Sequence, residues 1–268
     1  MASSNRSQLA LPDLIEIMQV TMRVGVLMLQ SGTLSFRVEQ AMSRVAQSLG
    51  IERLDAYVTL TGITASIHAG GHHFTQIARV KTLSVDMDRL SAVEYLSLHL
   101  PVDATPASIC AILDKIEQTP PPYPRWLVVA GVAIACGAFA LLSGGHWIDC
   151  FAAFVSAGCG LLLRFLLQKR RLNSMALTII CSAYATSLCY AIVQGFAWLG
   201  LESPLPQAGF LAAVLFQVPG MLLVTATLDL VRLDLISGMA RVTYALLQLF
   251  SVAIGILIVM AFTGITIL

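Results

Sequence analysis

Five apolar stretches fill the last 143 residues of the chain, at about 126–142, 147–167, 175–199, 208–228 and 243–267. Each is close to the roughly 20 residues that carry an α-helix across the hydrocarbon core of a bilayer. A chain crossing that core must satisfy its backbone internally, as a helix or a closed barrel. These stretches are continuous rather than alternating, so the expectation is an α-helical multi-pass membrane protein with five transmembrane helices. Composition agrees: 57% of the 268 residues are hydrophobic and 12% charged, against about 25% charged in soluble domains. The charges are uneven, with 21 of the 31 in residues 1–125. The chain therefore divides into a polar N-terminal domain, 1–124, and a membrane domain, 125–268.

The N-terminal part has the periodicities of a small α+β domain. After a polar, frayed run over 1–10, Leu11, Ile15, Met18, Met22, Val26 and Leu29 recur at helical spacing, with Pro12 at the start and Gly32 at the stop. A second helix starts near Ser35, with Val38, Met42, Val45 and Leu49 on one face. Leu54 to Leu60 and Ile63 to Ala69 alternate as half-buried strands, with a turn or bulge at Thr61-Gly62. Gly70-Gly71 predicts a hairpin into a third strand, His73 to Val80. Helices over 86–100 and 105–118 follow, then the stiff linker TPPPYP, 119–124.

Lys and Arg set the orientation. Arg125, the Lys169-Arg170-Arg171 cluster, Arg232 and Arg241 fall in alternate connections, while 143–146 and 200–207 hold no Lys or Arg. The N-terminal domain is thus expected in the cytoplasm, and the C-terminus beyond the membrane.

Polar residues within apolar spans mark functional candidates, because an intramembrane ionisable group is costly. Asp149 lies near one end of the second span and Arg164 near the other, where it can snorkel. Ser182, Thr186 and Cys189 share a face of the third. Gln217 abuts Pro219-Gly220, which breaks the fourth span and frees backbone groups. Asp229 ends that span, and Arg232, Asp234 and Arg241 follow in a charged segment. The alternatives are a plain packing kink, an interfacial Asp149 and a surface Asp229–Arg232 pair. Gly131, Ala135, Ala153, Ser156, Ala157, Gly158 and Gly160 allow close helix packing. His68, His72 and His73 cluster near the glycine turn with Asp86 and Asp88 soon after; the two readings are a metal or acid/base site and, more simply, a solvated hairpin tip. The chain has no H-E-x-x-H, G-x-S-x-G or P-loop motif, so no catalytic residue, metal site or cofactor is expected. The six cysteines have no C-x-x-C spacing and read as small buried hydrophobes.

The run LQSGTLSFRVEQAMSRVAQSLGI resembles a segment of the threonine/serine exporter family, through Ser31, Gly32, Arg37, Val38, Glu39, Met42, Leu49 and Gly50. YPRW at Tyr123 to Trp126, VPG at Val218 to Gly220, Asp229 and GMAR at Gly238 to Arg241 resemble later landmarks in the same order. Gln30 and Thr33 depart from the acidic residue and alanine of that pattern. The resemblance is to the first half of the family's long chain, and most to the larger subunit of its two-protein version. It implies export of small polar metabolites (succinate, threonine or serine) across the bacterial inner membrane. It also implies a smaller membrane subunit as partner; a homo-oligomer is a further option, and no nucleic acid is involved. Without an ATP-binding motif, coupling would be to an ion gradient, with Asp149 and Asp229 as carriers, Pro219-Gly220 as hinge, and Gln217, Ser182, Thr186 and Arg164 toward substrate. A membrane-anchored hydrolase, scaffold or sensor acting through the N-terminal domain is the alternative.

Overall fold

The computed structural model describes residues 11–80, 84–101, 103–170 and 172–264. Residues 1–10, expected to be frayed, Arg171 and residues 265–267 of the fifth span lie outside the described residues. Two compact units form, one from Met1–Pro122 with Gly220–Thr243, the other from Tyr123–Pro219 with Tyr244–Leu268.

In the first unit the order is α1 (Leu11–Gln30), α2 (Ser35–Ser48), β1 (Arg53–Thr59), β2 (Gly62–Ala69), β3 (His72–Arg79), α3 (Met87–Leu98) and α4 (Pro106–Gln118). The three strands make an antiparallel sheet with β2 central, in the register Tyr57↔Thr64 and Ile67↔Phe74. Alternation places Ile63, Ala65 and Ile67 inward, where they meet Leu14, Met18 and Met28 of α1 and Met42 of α2 in one core. α3 and α4 begin at side-chain caps: Asp86 accepts from the Arg89 N–H at 3.0 Å, and Thr105 from the Ser108 N–H at 3.2 Å.

The α1–α2 connection is tied down on both sides. Gly32 takes φ +86°, and a Cβ there would lie 3.3 Å from the Ser84 carbonyl oxygen. The Ser84 N–H donates to the Gln30 carbonyl (2.8 Å) and the Asp86 N–H to that of Ser31 (3.3 Å). Ser31, 1% exposed, turns its hydroxyl back onto the Leu27 carbonyl. The Ser-Gly pair thus sets the path of the loop leading to α2.

α9 (Gly220–Val231) and the first turns of α10 (Leu235–Thr263) also belong to this unit. α9 buries Thr225, Ala226 and Asp229 while exposing Met221, Val224, Leu228 and Val231. A polar inside and an apolar outside invert the pattern of a water-soluble helix and suit lipid or another apolar helix. Between α9 and α10 the chain reverses over Arg232–Asp234, with Leu233 at φ 67° and the Asp234 N–H on the Asp229 carbonyl (3.0 Å).

The second unit contains α5 (Arg125–Leu142), α6 (Trp147–Gln168), α7 (Ser174–Trp198), α8 (Pro206–Ala213), a 3-10 turn at Leu215–Gln217 and the rest of α10. Small residues let these helices approach. A Cβ on Gly160 would lie 3.0 Å from Phe216 and 3.2 Å from Ala185, and one on Gly209 3.3 Å from Asp149. α5, α6, α7 and α10 are each long and apolar enough to cross a membrane, and the broken stretch of α8 and α9 makes a fifth if counted as one span. The chain is a helical membrane protein.

Three expectations need correction. The fourth stretch is not a helix kinked at one point; it leaves α-geometry from Val214 to Pro219. Val218 is extended (φ −67°, ψ 124°), as a residue before proline prefers. The final helix starts at Leu235 rather than 243. Gly238 lies in its first turn, where a Cβ would come within 2.7 Å of the Leu230 side chain of α9. Arg241 is consequently not in a loop but inside α10, 2% exposed.

Candidate functional site

The predicted residues fall into two polar constellations, one in each unit. In the first, Asp229 and Arg241 form a buried ion pair, with Nε to Oδ2 2.9 Å and side chains 0% and 2% exposed. Asp229 Oδ1 accepts from the Ser35 backbone N–H at 3.3 Å. This supplies the cap that Leu34, at the N-cap of α2, cannot, and puts a negative charge on the positive end of the helix. Ser35 Oγ and Ser237 Oγ lie 3.1 and 3.0 Å from Oδ2 and 2.7 Å from each other. Two hydroxyl protons serve three short contacts, so two of the three are hydrogen bonds at any moment. Arg241 donates further to the Thr33 carbonyl (2.9 Å) and Thr225 Oγ1 (3.3 Å). The departure at Thr33 from the family's alanine is tolerated by this bond, which uses only the main chain.

Arg232 is not the partner of Asp229: its guanidinium lies over the Phe36 ring, 3.6 Å from the centroid. Arg37 pairs with Glu94 at the surface, 3.5 Å apart, an interaction of small weight. Glu39 is half-buried. Burial, then the negative charge of Asp234, pushes its carboxyl above the ordinary range, and burial and Asp229 push Asp234 the same way against the pull of Arg232. The fold therefore favours protonated Glu39, and its contribution to stability falls as pH rises from the ordinary carboxylate value through the raised one. Glu39→Gln is expected to melt at a higher temperature than the parent at neutral pH. The gap should close in acid, where both folded and unfolded Glu39 are protonated; thermal unfolding of the purified protein at the two pH values checks this.

The second constellation lies within the helices of the other unit. Asp149, Ser156, Thr178, Ser182, Thr186 and Gln217 are each at most 3% exposed. Gln217 reaches from the 3-10 turn to the backbone of α7. With its nitrogen toward the Thr178 carbonyl (3.1 Å) and its oxygen toward the Ser182 N–H (2.9 Å), the amide sits between the two ends of one helical turn. Pro219 and Gly220 stand just beyond it. Asp149 Oδ2 accepts from the His146 N–H (2.8 Å) and Ser203 Oγ (2.6 Å). Asp149 Oδ1, Thr178 Oγ1 and Thr186 Oγ1 have no protein partner, and Ser156 Oγ has only the weak Cys189 thiol beside it. Arg164 is half-buried on α6, near Cys181 of α7. Ser156 was read from sequence as a packing residue and Thr178 not at all; a small polar residue one turn before Ser182 was the available signal.

The strand histidines His68 and His73 belong to neither constellation. His68 and His73 face each other across β2 and β3 with ring centroids 6.3 Å apart, and His68 Nε2 lies 3.3 Å from Asp55.

A family model described as "Putative threonine/serine exporter" matches residues 19–263. The chain is 25% identical over 251 residues to the "Probable succinate transporter subunit YjjP" of Escherichia coli, covering 92% of this chain and 94% of that protein. It is 27% identical to the "Probable threonine/serine exporter" of Mycobacterium tuberculosis and 26% to the "Threonine/serine exporter" of Corynebacterium glutamicum, but spans only 45% and 50% of them. No solved structure matches.

Proposed function

The chain belongs to the threonine/serine exporter family, and from that membership we propose that it is one subunit of a secondary exporter of small polar metabolites. The observation that carries the transport reading is the buried polar row of Asp149, Ser156, Thr178, Ser182, Thr186 and Gln217, set among apolar helices. A row like this is expensive in lipid and serves a solute or ion pathway. The broken stretch beside it suits a moving element: secondary transporters bind at midplane sites built from discontinuous helices. Pro219-Gly220 acts as the hinge. Gln217, Ser182 and Thr186 offer hydrogen bonds to a polar solute, and Arg164 offers a positive charge to its carboxylate. The substrate is succinate, threonine or serine, as the relatives' names suggest.

The partner is a smaller membrane subunit. Supporting this, the chain matches nearly all of a protein named a subunit and about half the length of two proteins named exporters. The location is the bacterial inner membrane; the N-terminal α+β part is cytoplasmic, by the rule that basic connections such as Lys169-Arg170 and Arg232 stay on that side. The test is efflux of labelled succinate and threonine from preloaded vesicles holding both subunits, with and without a proton gradient. Efflux of one of them is expected; flux of neither under either condition sinks the reading.

A further inference from the structure

Asp149 and Asp229 are both buried acids in this protein, and their surroundings differ in kind. Asp229 has a guanidinium, two hydroxyls and a backbone N–H around its two oxygens. Its charge is balanced and its lone pairs are used. Asp149 has only neutral donors, both on Oδ2, and among the described residues no Lys or Arg forms an ion pair with it. Oδ2 meets the need of the α6 N-terminus for a cap. Oδ1 does nothing for the helix, yet it is buried and has no protein partner.

In the same unit, Thr186 and Thr178 on α7 share that condition, and Ser156 on α6 has only the weak Cys189 thiol beside it. Ser156 follows Asp149 by two helical turns, so both lie on one face of α6. Thr178 and Thr186 are also about two turns apart, on the face of α7 that includes Cys189, whose thiol bonds to Ser156 and feels the charge of Asp149. α6 and α7 are consecutive helices joined by a short connection. These oxygens therefore form a sequence along the two helices, from Asp149 through Ser156 and Thr186 toward Thr178 and Gln217. Buried polar atoms are nearly always hydrogen-bonded, to protein or to ordered water.

We propose that these oxygens line a file of water leading to Asp149 Oδ1, and that Asp149, not Asp229, is the group that takes up and releases the coupling proton. A hydroxyl or water in such a file accepts a proton on one side and gives one up on the other, so charge moves without net displacement of an oxygen. At its end the proton binds Oδ1 and neutralises a buried carboxylate that has no cation of its own; it leaves by the same atom. Around Asp149, the titratable groups are Cys189 from α7 and His146 at the start of α6, with exposed Glu202 next to Ser203 in the connection to α8. α8 brings Gly209 and the turn after α5 brings Gly145.

The role in coupling rests on the exporter reading; the titration itself does not, and the experiment separates them. Infrared difference spectra of the purified full chain in lipid nanodiscs, neutral minus acid, are compared for the parent, Asp149→Asn and Thr186→Val. The amide oxygen of Asn can still accept from the His146 N–H, so the fold is retained; circular dichroism confirms it. A protonated-carboxyl band is expected in the parent, lost in Asp149→Asn, and slower to appear after a pH jump in Thr186→Val, whose methyl replaces the relaying hydroxyl. In vesicles that show efflux, Asp149→Asn should lose the dependence on the proton gradient. Identical spectra for the parent and Asp149→Asn overturn the proposal. An Asp149-dependent band without efflux from the parent leaves the titration standing and removes the exporter reading.

Discussion

Asp229→Ala is expected to be the most damaging single substitution in the chain, costing about 3–5 kcal/mol, the range for breaking a buried ion pair by removing one partner. The loss has three parts. Arg241 is left 2% exposed without its counter-charge. The Ser35 N–H at the start of α2 loses its acceptor. Ser237 loses the carboxylate and keeps the Ser35 hydroxyl and a long contact from Arg241. With stabilities of 5–15 kcal/mol typical of folded domains, the variant should accumulate poorly and run as aggregate in size-exclusion chromatography. The control is Asp229→Leu with Arg241→Met, which removes both charges and keeps apolar volume. It should recover folded protein, because replacing a buried pair by hydrophobic residues is often neutral. A double variant as defective as Asp229→Ala would mean that the hydroxyl and backbone bonds, not the uncompensated charge, set the cost.

Gly255→Ala and Gly255→Leu should give the next largest losses. A Cβ at 255 would overlap the Ser182 hydroxyl and lie 2.7 Å from the Ile179 carbonyl oxygen and 3.0 Å from the Ala183 nitrogen. Backbone atoms of α7 cannot swing aside as a side chain can, so α7 and α10 must part. Overpacking of this kind costs about 1–3 kcal/mol, and leucine should exceed alanine. Gly195, with nothing within 4 Å of its added Cβ, is the internal comparison. Gly195→Ala should be neutral or stabilising by up to about 1 kcal/mol, the helix-propensity difference. Melting temperatures of the three purified variants check the order.

The helices and strands of the N-terminal part were legible because each has one buried and one exposed face, and periodicity reports that difference directly. Met18 and Met42, Ile63 and Ile67 are where the 3.6 and 2.0 repeats place them. The membrane helices were legible for a different reason: length and apolarity suffice there. What periodicity cannot give is a partner distant in sequence. Asp229 meets Ser35 across 194 positions, so the nearby Arg232 looked like its natural counter-ion. Arg241 looked like loop because Ser237 and Gly238 precede it, and both are poor helix formers. In the fold each has a specific use, Ser237 on the carboxylate and Gly238 against Leu230. The same limit hid the reach of Gln217. Pro219 announced a break, but nothing local showed that the irregular backbone begins at Val214 or that a side chain upstream of it meets the α7 backbone. Gly131 and Gly255 are both glycines in apolar helices; only packing separates the one with open space from the one pressed on a neighbouring helix.

Transport as half of a two-subunit exporter can be tested by reconstituting the chain in vesicles preloaded with labelled succinate and threonine, alone and then with the smaller membrane subunit, and following efflux under an imposed proton gradient. Gradient-dependent efflux of one solute is expected from vesicles with both proteins, and background leakage from those with this chain alone. Equal efflux with and without the second subunit would contradict the half-transporter. Absence of efflux in both would contradict transport itself.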